Sequence, residues 1–262
     1  MLRKVKDLIK YSIHTLDDSI AQVDDFLLDD ETWVIRYLVV NLGNWLLERK
    51  ILISPVALKQ PNWEGNLFPV NLTKDQIENS PHIITDKPIS RQQETALFDY
   101  YGWPTYWSDV SPIAAGRVGM QPEAYLQAMV QAKVAEKIEE NVAKRMMVKE
   151  KLSNPNLRSA EQLISFYFQT NDGELGHTED FLVDDEHWII PYLVADLGNW
   201  LPDKKVLIPA QWIGRVTWTS SEIHVSLSRR IIEGASAYNS SIPVSKAYES
   251  KLFDYYNSKR NH

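Results

Sequence analysis

The chain has 262 residues, 44% of them hydrophobic, and a formal net charge of −7. That length accommodates two ordinary domains with buried cores, and the acidic balance argues against a general nucleic-acid binder, which needs a basic surplus to neutralise phosphates. With no cysteine present, disulfides, thiolate chemistry and Cys-based zinc sites are excluded, a composition that fits a reducing compartment.

The opening stretch MLRKVKDLIKYSIH scatters its charges and contains no apolar h-region, so no signal peptide is read there. No apolar run approaches the ~20 residues that span a bilayer, and a cytoplasmic, soluble protein without a transmembrane segment is expected. Strands follow. Residues 20–28 and 33–40 are rich in β-branched and other apolar side chains, with the acidic turn Asp29-Asp30-Glu31 between them. A short strand is predicted over 49–53. Trp63 and residues 67–72 flank Glu64-Gly65-Asn66, which has the form of a hairpin turn. Two capping boxes come next, Thr73-Lys74-Asp75-Gln76 and Ser90-Arg91-Gln92-Gln93; in this pattern a hydroxyl and an amide satisfy orphan N–H groups reciprocally. The second leads into a closing helix, ETALFDYY. Beyond it, residues 122–152 combine helix formers with an apolar stripe that includes Leu126, Met129, Val130, Val134, Ile138, Val142 and Met146, predicting a long amphipathic linker helix that Asn154-Pro155 ends.

The second half repeats the first. DDFLLDDETWVIRYLVVNLGNWL, residues 24–46, returns as EDFLVDDEHWIIPYLVADLGNWL, residues 179–201, and the match runs ungapped along the chain at a shift of 155 positions. Roughly two positions in three are identical within that block, well above chance. Trp63 meets Trp218, and LFDYY at 97–101 meets LFDYY at 252–256. Two copies of one domain of about 100 residues are therefore expected: repeat 1 with its closing helix over 1–107, a helical linker over 108–156, and repeat 2 with its closing helix over 157–262. The copies differ in places. Arg36 becomes Pro191, so the corresponding strand is expected to be interrupted, bulged or at an edge. Asn171-Asp172-Gly173 is a clear turn in copy two, whereas copy one has Leu16-Asp17-Asp18 without the glycine.

Short strands at turn spacing with little helix point to a small barrel. The block DDFLLDDETWVIRYLVVNLGNWL with KILISP after it resembles the PRC-barrel family, named for the cytoplasmic domain of the photosynthetic reaction-centre H subunit. ISRQQETALFDYYGWPTYW resembles the extension of stand-alone bacterial proteins that carry two such barrels. The resemblance covers about residues 10–107 and 165–256. It implies a mainly β fold with helices, as two tandem PRC-like barrels joined by a long helix. It also implies a binding or assembly module without known catalysis, and it brings no catalytic residues to this chain.

The residues themselves offer few sites. Asp29, Asp30 and Glu31, with Asp184, Asp185 and Glu186, could gather a divalent cation through carboxylate oxygens. A solvated turn whose aspartate caps the backbone is favoured, because neither copy has an EF-hand pattern. Adjacent strand residues point to opposite faces, so Asp29 and Asp30 do not converge as a hydrolytic dyad. No GxSxG, P-loop, GxGxxG or HExxH occurs and the histidines lack ligand spacing. No enzymatic activity, cofactor or metal is expected. Simple alternation places Trp33, Ile35, Tyr37 and Val39 on one face of a strand and Val34, Arg36, Leu38 and Val40 on the other. Both faces are largely apolar, so one fills the interior and the other needs a cover, with intramolecular cover favoured. Outside the repeat stands Trp103-Pro104-Thr105-Tyr106-Trp107. Trp103, Tyr106 and Trp107, with Arg36, form the candidate interaction surface; the aromatic segment either docks a partner or tucks against its own domain.

The expectation is thus a non-enzymatic scaffold for a protein partner, open to homo-oligomerisation and not directed at nucleic acid. A photosynthesis- or membrane-associated regulator, an RNA- or ribosome-linked factor and a hydrolase with an unrecognised site are the alternatives.

Overall fold

Alternating and β-branched apolar runs set the strands, and the turns fall where acidic, Asn or Gly residues interrupt them. The computed structural model describes residues 1–42, 49–81, 89–107, 156–198 and 204–260. The linker helix expected over 122–152 lies outside the described residues. Within them the fold is mainly β with a few helices, in two mixed sheets. No helix among the described residues is long and apolar enough to cross a membrane.

The first half contains β1 (Leu2–Lys4), α1 (Val5–Leu8), β2 (Ser12–His14), β3 (Ser19–Asp29), β4 (Val34–Asn41), β5 (Lys50–Ile53), β6 (Leu67–Pro69), α2 (Lys74–Glu78) and α3 (Arg91–Tyr101). The second half contains β7 (Leu157–Ser159), α4 (Ala160–Leu163), β8 (Tyr167–Thr170), β9 (Gly173–Asp184), β10 (Tyr192–Asp196), β11 (Lys205–Pro209), β12 (Ile213–Thr217), β13 (Glu222–Val225), α5 (Arg229–Glu233) and α6 (Lys246–Arg260).

The compact units do not coincide with the two repeats. One consists of 7–160 with 186–189, and the other of 1–6, 161–185 and 190–262. The first holds a six-stranded sheet in the order β5-β4-β3-β2-β6, with β7 from the second repeat added to β3. There Leu27, Leu28 and Asp29 pair with Ser159, Arg158 and Leu157. The second holds a seven-stranded sheet in the order β11-β10-β9-β8-β13-β12, with β1 from the first repeat added to β9. There Leu2, Arg3 and Lys4 pair with Asp184, Val183 and Leu182. Each sheet is mixed because one pair in it is parallel, β2 with β6 and β8 with β13. The strand path of neither sheet closes into a ring among the described residues.

Two β-bulges mark the β3–β4 pairing of the six-stranded sheet. Its β3–β4 pairing steps from Val23↔Val40 to Asp25↔Val39, skipping Asp24 on β3, and from Leu27↔Tyr37 to Leu28↔Ile35, skipping Arg36 on β4. An extra residue on one strand bends it and breaks side-chain alternation. The β9–β10 pairing of the other sheet likewise skips Glu179, passing from Val194↔Asp180 to Ala195↔Thr178. Both bulged acids reach the neighbouring lysine: Asp24 lies 2.7 Å from Lys50 Nζ, and Glu179 lies 2.5 Å from Lys205 Nζ. Pro191 stands just before β10, where its missing N–H takes no place in the ladder, and its carbonyl accepts a hydrogen bond from Ala210 N–H at 2.9 Å.

The turn lacking glycine forms nonetheless. Thr15 Oγ1 donates to Asp18 O at 2.7 Å, as Thr170 Oγ1 does to Gly173 O at 2.5 Å. Asp17 and Asp172 then accept the backbone N–H of Lys74 and Arg229, respectively, the first residues of α2 and α5. These bonds to the charged form, led by the backbone donors, hold both carboxyls below the usual range. Both predicted capping boxes are complete, at Thr73/Gln76 and at Ser90/Gln93. Gly102, at φ 69°, ends α3 in the left-handed conformation that glycine adopts without steric cost. The hairpin predicted around residues 64–66 is only a bridge, Asn62↔Leu67, in copy one, whereas β12 and β13 form it fully in copy two.

In the seven-stranded unit Asp180 is buried, and desolvation pushes its carboxyl up to about 6, although the backbone N–H groups of Phe181 and Lys6 donate to it. A carboxyl raised in the folded state binds its proton more tightly than in the unfolded chain. Its contribution is therefore fully present below about pH 4 and is lost as pH rises through about 6. Asp180→Asn keeps the acceptor oxygen and removes the titration. Wild type is expected to lose on the order of 3 kcal/mol relative to Asp180→Asn between about pH 4 and 7. Urea melts of both proteins across that range check it, and parallel pH profiles would refute it.

Candidate functional site

The six-stranded unit needs a cover over the β4 face that carries Tyr37 and Val39. It gets one from the end of its own chain segment. Helix α3 turns Leu97 and Phe98 inward, and Tyr37, Val39, Leu52, Ile89, Leu97, Phe98, Tyr106 and Leu157 are all buried in one cluster. After Gly102 the chain folds back. Trp103 stacks on Tyr101 at 4.2 Å between ring centroids and 14° between planes, and Trp107 packs against Phe98 at 5.0 Å. Tyr106 is buried, whereas Trp103 and Trp107 are half-buried and Pro104 is exposed. The aromatic segment thus tucks against its own unit and leaves the outer parts of two indoles and a proline in solvent.

Beneath this strap lies a carboxylate with 0% exposure, Glu94 of α3. Tyr37 Oη donates to Glu94 Oε1 at 2.7 Å, and Tyr106 Oη donates to the same oxygen. Arg91 Nη1 stands 2.9 Å from Glu94 Oε2. Burial raises the Glu94 carboxyl, opposed first by the Arg91 charge and then by the two phenol hydrogen bonds. The phenols respond in kind. Burial, with the Glu94 charge adding to it, pushes Tyr37 and Tyr106 far above the ordinary tyrosine range. Two guanidinium groups close the set: Arg36 lies 4.3 Å from the Tyr106 ring centroid and Arg91 lies 4.3 Å from that of Trp107. Each such contact contributes about 0.5–2 kcal/mol, more where water is excluded.

Arg36 is 6% exposed and sits at the bulge of β4. Unbroken alternation would put it on the Val34 and Leu38 face, away from Tyr37. Because the pairing skips it, its side chain reaches Tyr106 on the Tyr37 side and comes 4.0 Å from Asp29 Oδ2. All four candidate residues, Arg36, Trp103, Tyr106 and Trp107, are therefore brought onto one face of one unit.

The acidic turns are used differently. Asp29 Oδ1 accepts the N–H groups of Glu31 and Thr32, each at 3.0 Å, in a capped turn. Asp30 lies 3.4 Å from Arg158 Nε of the added strand β7, and Asp185 lies 2.6 Å from Arg3 Nε of the added strand β1. Asp184 pairs with Leu2 in the ladder, and Glu31 and Glu186 are exposed. Among the described residues, no group of three or more His, Asp or Glu side chains could hold a metal ion.

Glu94 is the residue that sequence reasoning missed. A signal existed: Tyr37 and Glu94 have identical counterparts at the repeat shift, Tyr192 and Glu249. Those two are hydrogen-bonded in the other unit, and burial raises both. The surroundings differ there. Pro191 replaces Arg36, Lys246 replaces Arg91, and the counterpart of Tyr106 is residue 261, outside the described residues. Trp212 packs on Tyr256 at 4.8 Å in that unit, where copy one has Ala57.

Chemically, the Glu94 set is closed. Its carboxylate is out of solvent and engaged by two phenols and an arginine, an arrangement that pins the strap to α3 and β4.

No family model matches the chain. A comparison with curated proteins finds an uncharacterized protein of Deinococcus radiodurans, 33% identical over 75 residues, which is 29% of this chain and 27% of that protein. The chain thus matches about a quarter of that relative's length.

Proposed function

We propose that the chain is a non-catalytic assembly scaffold of PRC-barrel type. In this reading its two units, each completed by a strand of the other repeat, are barrel-like, and the Trp103–Trp107 strap is presented to a protein partner. The observation that carries this reading is the closure of the Glu94 set. A buried carboxylate, two phenols and an arginine of the six-stranded unit are engaged in fixing a strap, and the fixed strap displays half-buried Trp103 and Trp107 beside exposed Pro104. Aromatic side chains held rigidly at a surface are what binding hot spots are made of, because little side-chain entropy remains to be lost on binding. Bulged strands and the parallel β2–β6 pair support a curled sheet.

The test is a quantitative pull-down from the native host with the intact chain and with Trp103→Ser/Trp107→Ser. The expected result is one protein at near-equal stoichiometry with the intact chain and about a ten-fold or greater loss with the variant, whose far-ultraviolet circular dichroism at the assay temperature should match that of wild type. Equal capture by both would remove the strap as the binding face.

A further inference from the structure

Each repeat lends one short strand to the unit built mainly from the other. On β9, residues 173–177 pair with β8, and the end of the strand, Leu182–Asp184, pairs with β1. On β3, residues 19–22 pair with β2, and Leu27–Asp29 pairs with β7. Left bare, those stretches would expose unpaired N–H and C=O groups, a template for adding a strand. The lent segments share a pattern, Leu2-Arg3-Lys4-Val5 and Leu157-Arg158-Ser159-Ala160, in which Val5 and Ala160 are fully buried. Their recognition is also matched. Arg3 meets Asp185 and Arg158 meets Asp30. Asp185 N–H donates to Met1 O at 3.0 Å, and Asp30 N–H donates to Asn156 O at 2.8 Å. Asp180 accepts the N–H of Lys6, and Asp25 accepts the hydroxyl of Ser159.

We infer that Leu27–Asp29 of β3 and Leu182–Asp184 of β9 are strand-acceptor sites for a Leu-Arg strand, and that their reciprocal occupation holds the two repeats together without the connecting segment. The partner each site fits is the other repeat. The inference is independent of any outside partner. Its basis is that a cut between residues 108 and 155 would leave two fragments, each of which still completes a sheet of the other by strand addition.

The experiment inserts a recognition site for a sequence-specific protease after Gly119 of the full chain and cleaves it to completion, as judged on a denaturing gel. The cleaved protein is then chromatographed in native buffer over a dilution series. The expected result is a single species containing both fragments at the elution volume of the intact chain. Two separated fragments would overturn the inference. The charge reversal Arg3→Asp/Arg158→Asp sets carboxylate against carboxylate at both sites. Uncleaved, this variant should stay folded by circular dichroism, because the intact chain keeps the partners at high effective concentration. Cleaved, its fragments should associate about ten-fold or more weakly than those of wild type. The single variant Arg3→Asp, with the Arg158 site intact, should fall between the two. Undiminished association of the cleaved variants would overturn the role of the exchanged strands.

Discussion

Replacing Trp188 with alanine is expected to cost about 3–5 kcal/mol, and the damage should appear in the six-stranded sheet although Trp188 belongs to the second repeat. The indole stacks on Phe26 at 6.1 Å and meets Phe68 edge-on at 5.7 Å, on β3 and β6 of the first repeat. Its backbone is stitched to the same sheet: Trp188 O accepts the N–H of Ile35 at 2.8 Å, and Val34 bridges Ile189. Truncation therefore opens a void between the two phenylalanines, which the surrounding side chains fill only in part. A second term adds to the first. Trp188 sits at φ 57°, a left-handed conformation that costs an L-residue roughly 1–2 kcal/mol. Burying the ring offsets that cost in wild type, and alanine retains the cost without the burial. Trp188→Gly, which relieves the backbone, should therefore be no worse than Trp188→Ala despite the smaller side chain. Trp33, fully buried at the same φ, should show a similar loss. Urea melts give the magnitude, and amide exchange at β2, β3 and β6 locates it. An unchanged midpoint, or exchange accelerated only in β9 to β11, would refute the assignment.

The exchange that makes this expectation unusual could not be read from the repeat. Shifting the chain by 155 positions maps Leu2 onto Leu157 and Asp29 onto Asp184 together. A strand paired with its own copy and a strand paired with the other copy give the same register and the same alternation. Local chemistry was more legible. The two capping boxes, the turns at Asp29 and Asp172 and the disruptive Pro191 each depend on a few neighbouring residues, and each forms where those residues stand. The side of Arg36 was misread for a physical reason. Alternation presumes an unbroken ladder, and one bulge moves a side chain across the sheet. An intramolecular cover over Tyr37 was the favoured expectation, but the buried carboxylate that holds it was not legible, because Tyr106 lies outside the repeat and its partner Glu94 is one more polar residue in a helix.

That partnership yields the other large expected effect. Glu94→Ala should destabilise the chain by about 3–5 kcal/mol, more than its packing volume would cost. The carboxylate accepts from Tyr37 and Tyr106 and faces Arg91, so its removal strands two buried hydroxyls and takes the counter-charge from a half-buried guanidinium. Glu94→Gln keeps an acceptor oxygen for the phenols and loses the pairing with Arg91, so its cost should be smaller. Wild type and Glu94→Gln also separate in their pH dependence. The Glu94 carboxyl is raised in the fold, so its contribution is fully present below the unfolded glutamate value, ~4.3, and is lost as pH rises through the higher folded value. Wild type should therefore lose stability relative to Glu94→Gln as pH climbs through that window. Tyr106→Phe is a narrower probe, retaining the ring over Arg36 and removing one hydroxyl, for about 1–2 kcal/mol. Tryptophan fluorescence distinguishes a loosened strap from a general loss of fold. In Glu94→Ala below its unfolding transition, release of Trp103 and Trp107 into water should shift emission to longer wavelength while far-ultraviolet circular dichroism is unchanged. Emission that moves only with global unfolding would mean that the strap is held by Phe98 and Tyr101 packing alone, and that the buried carboxylate is not its latch.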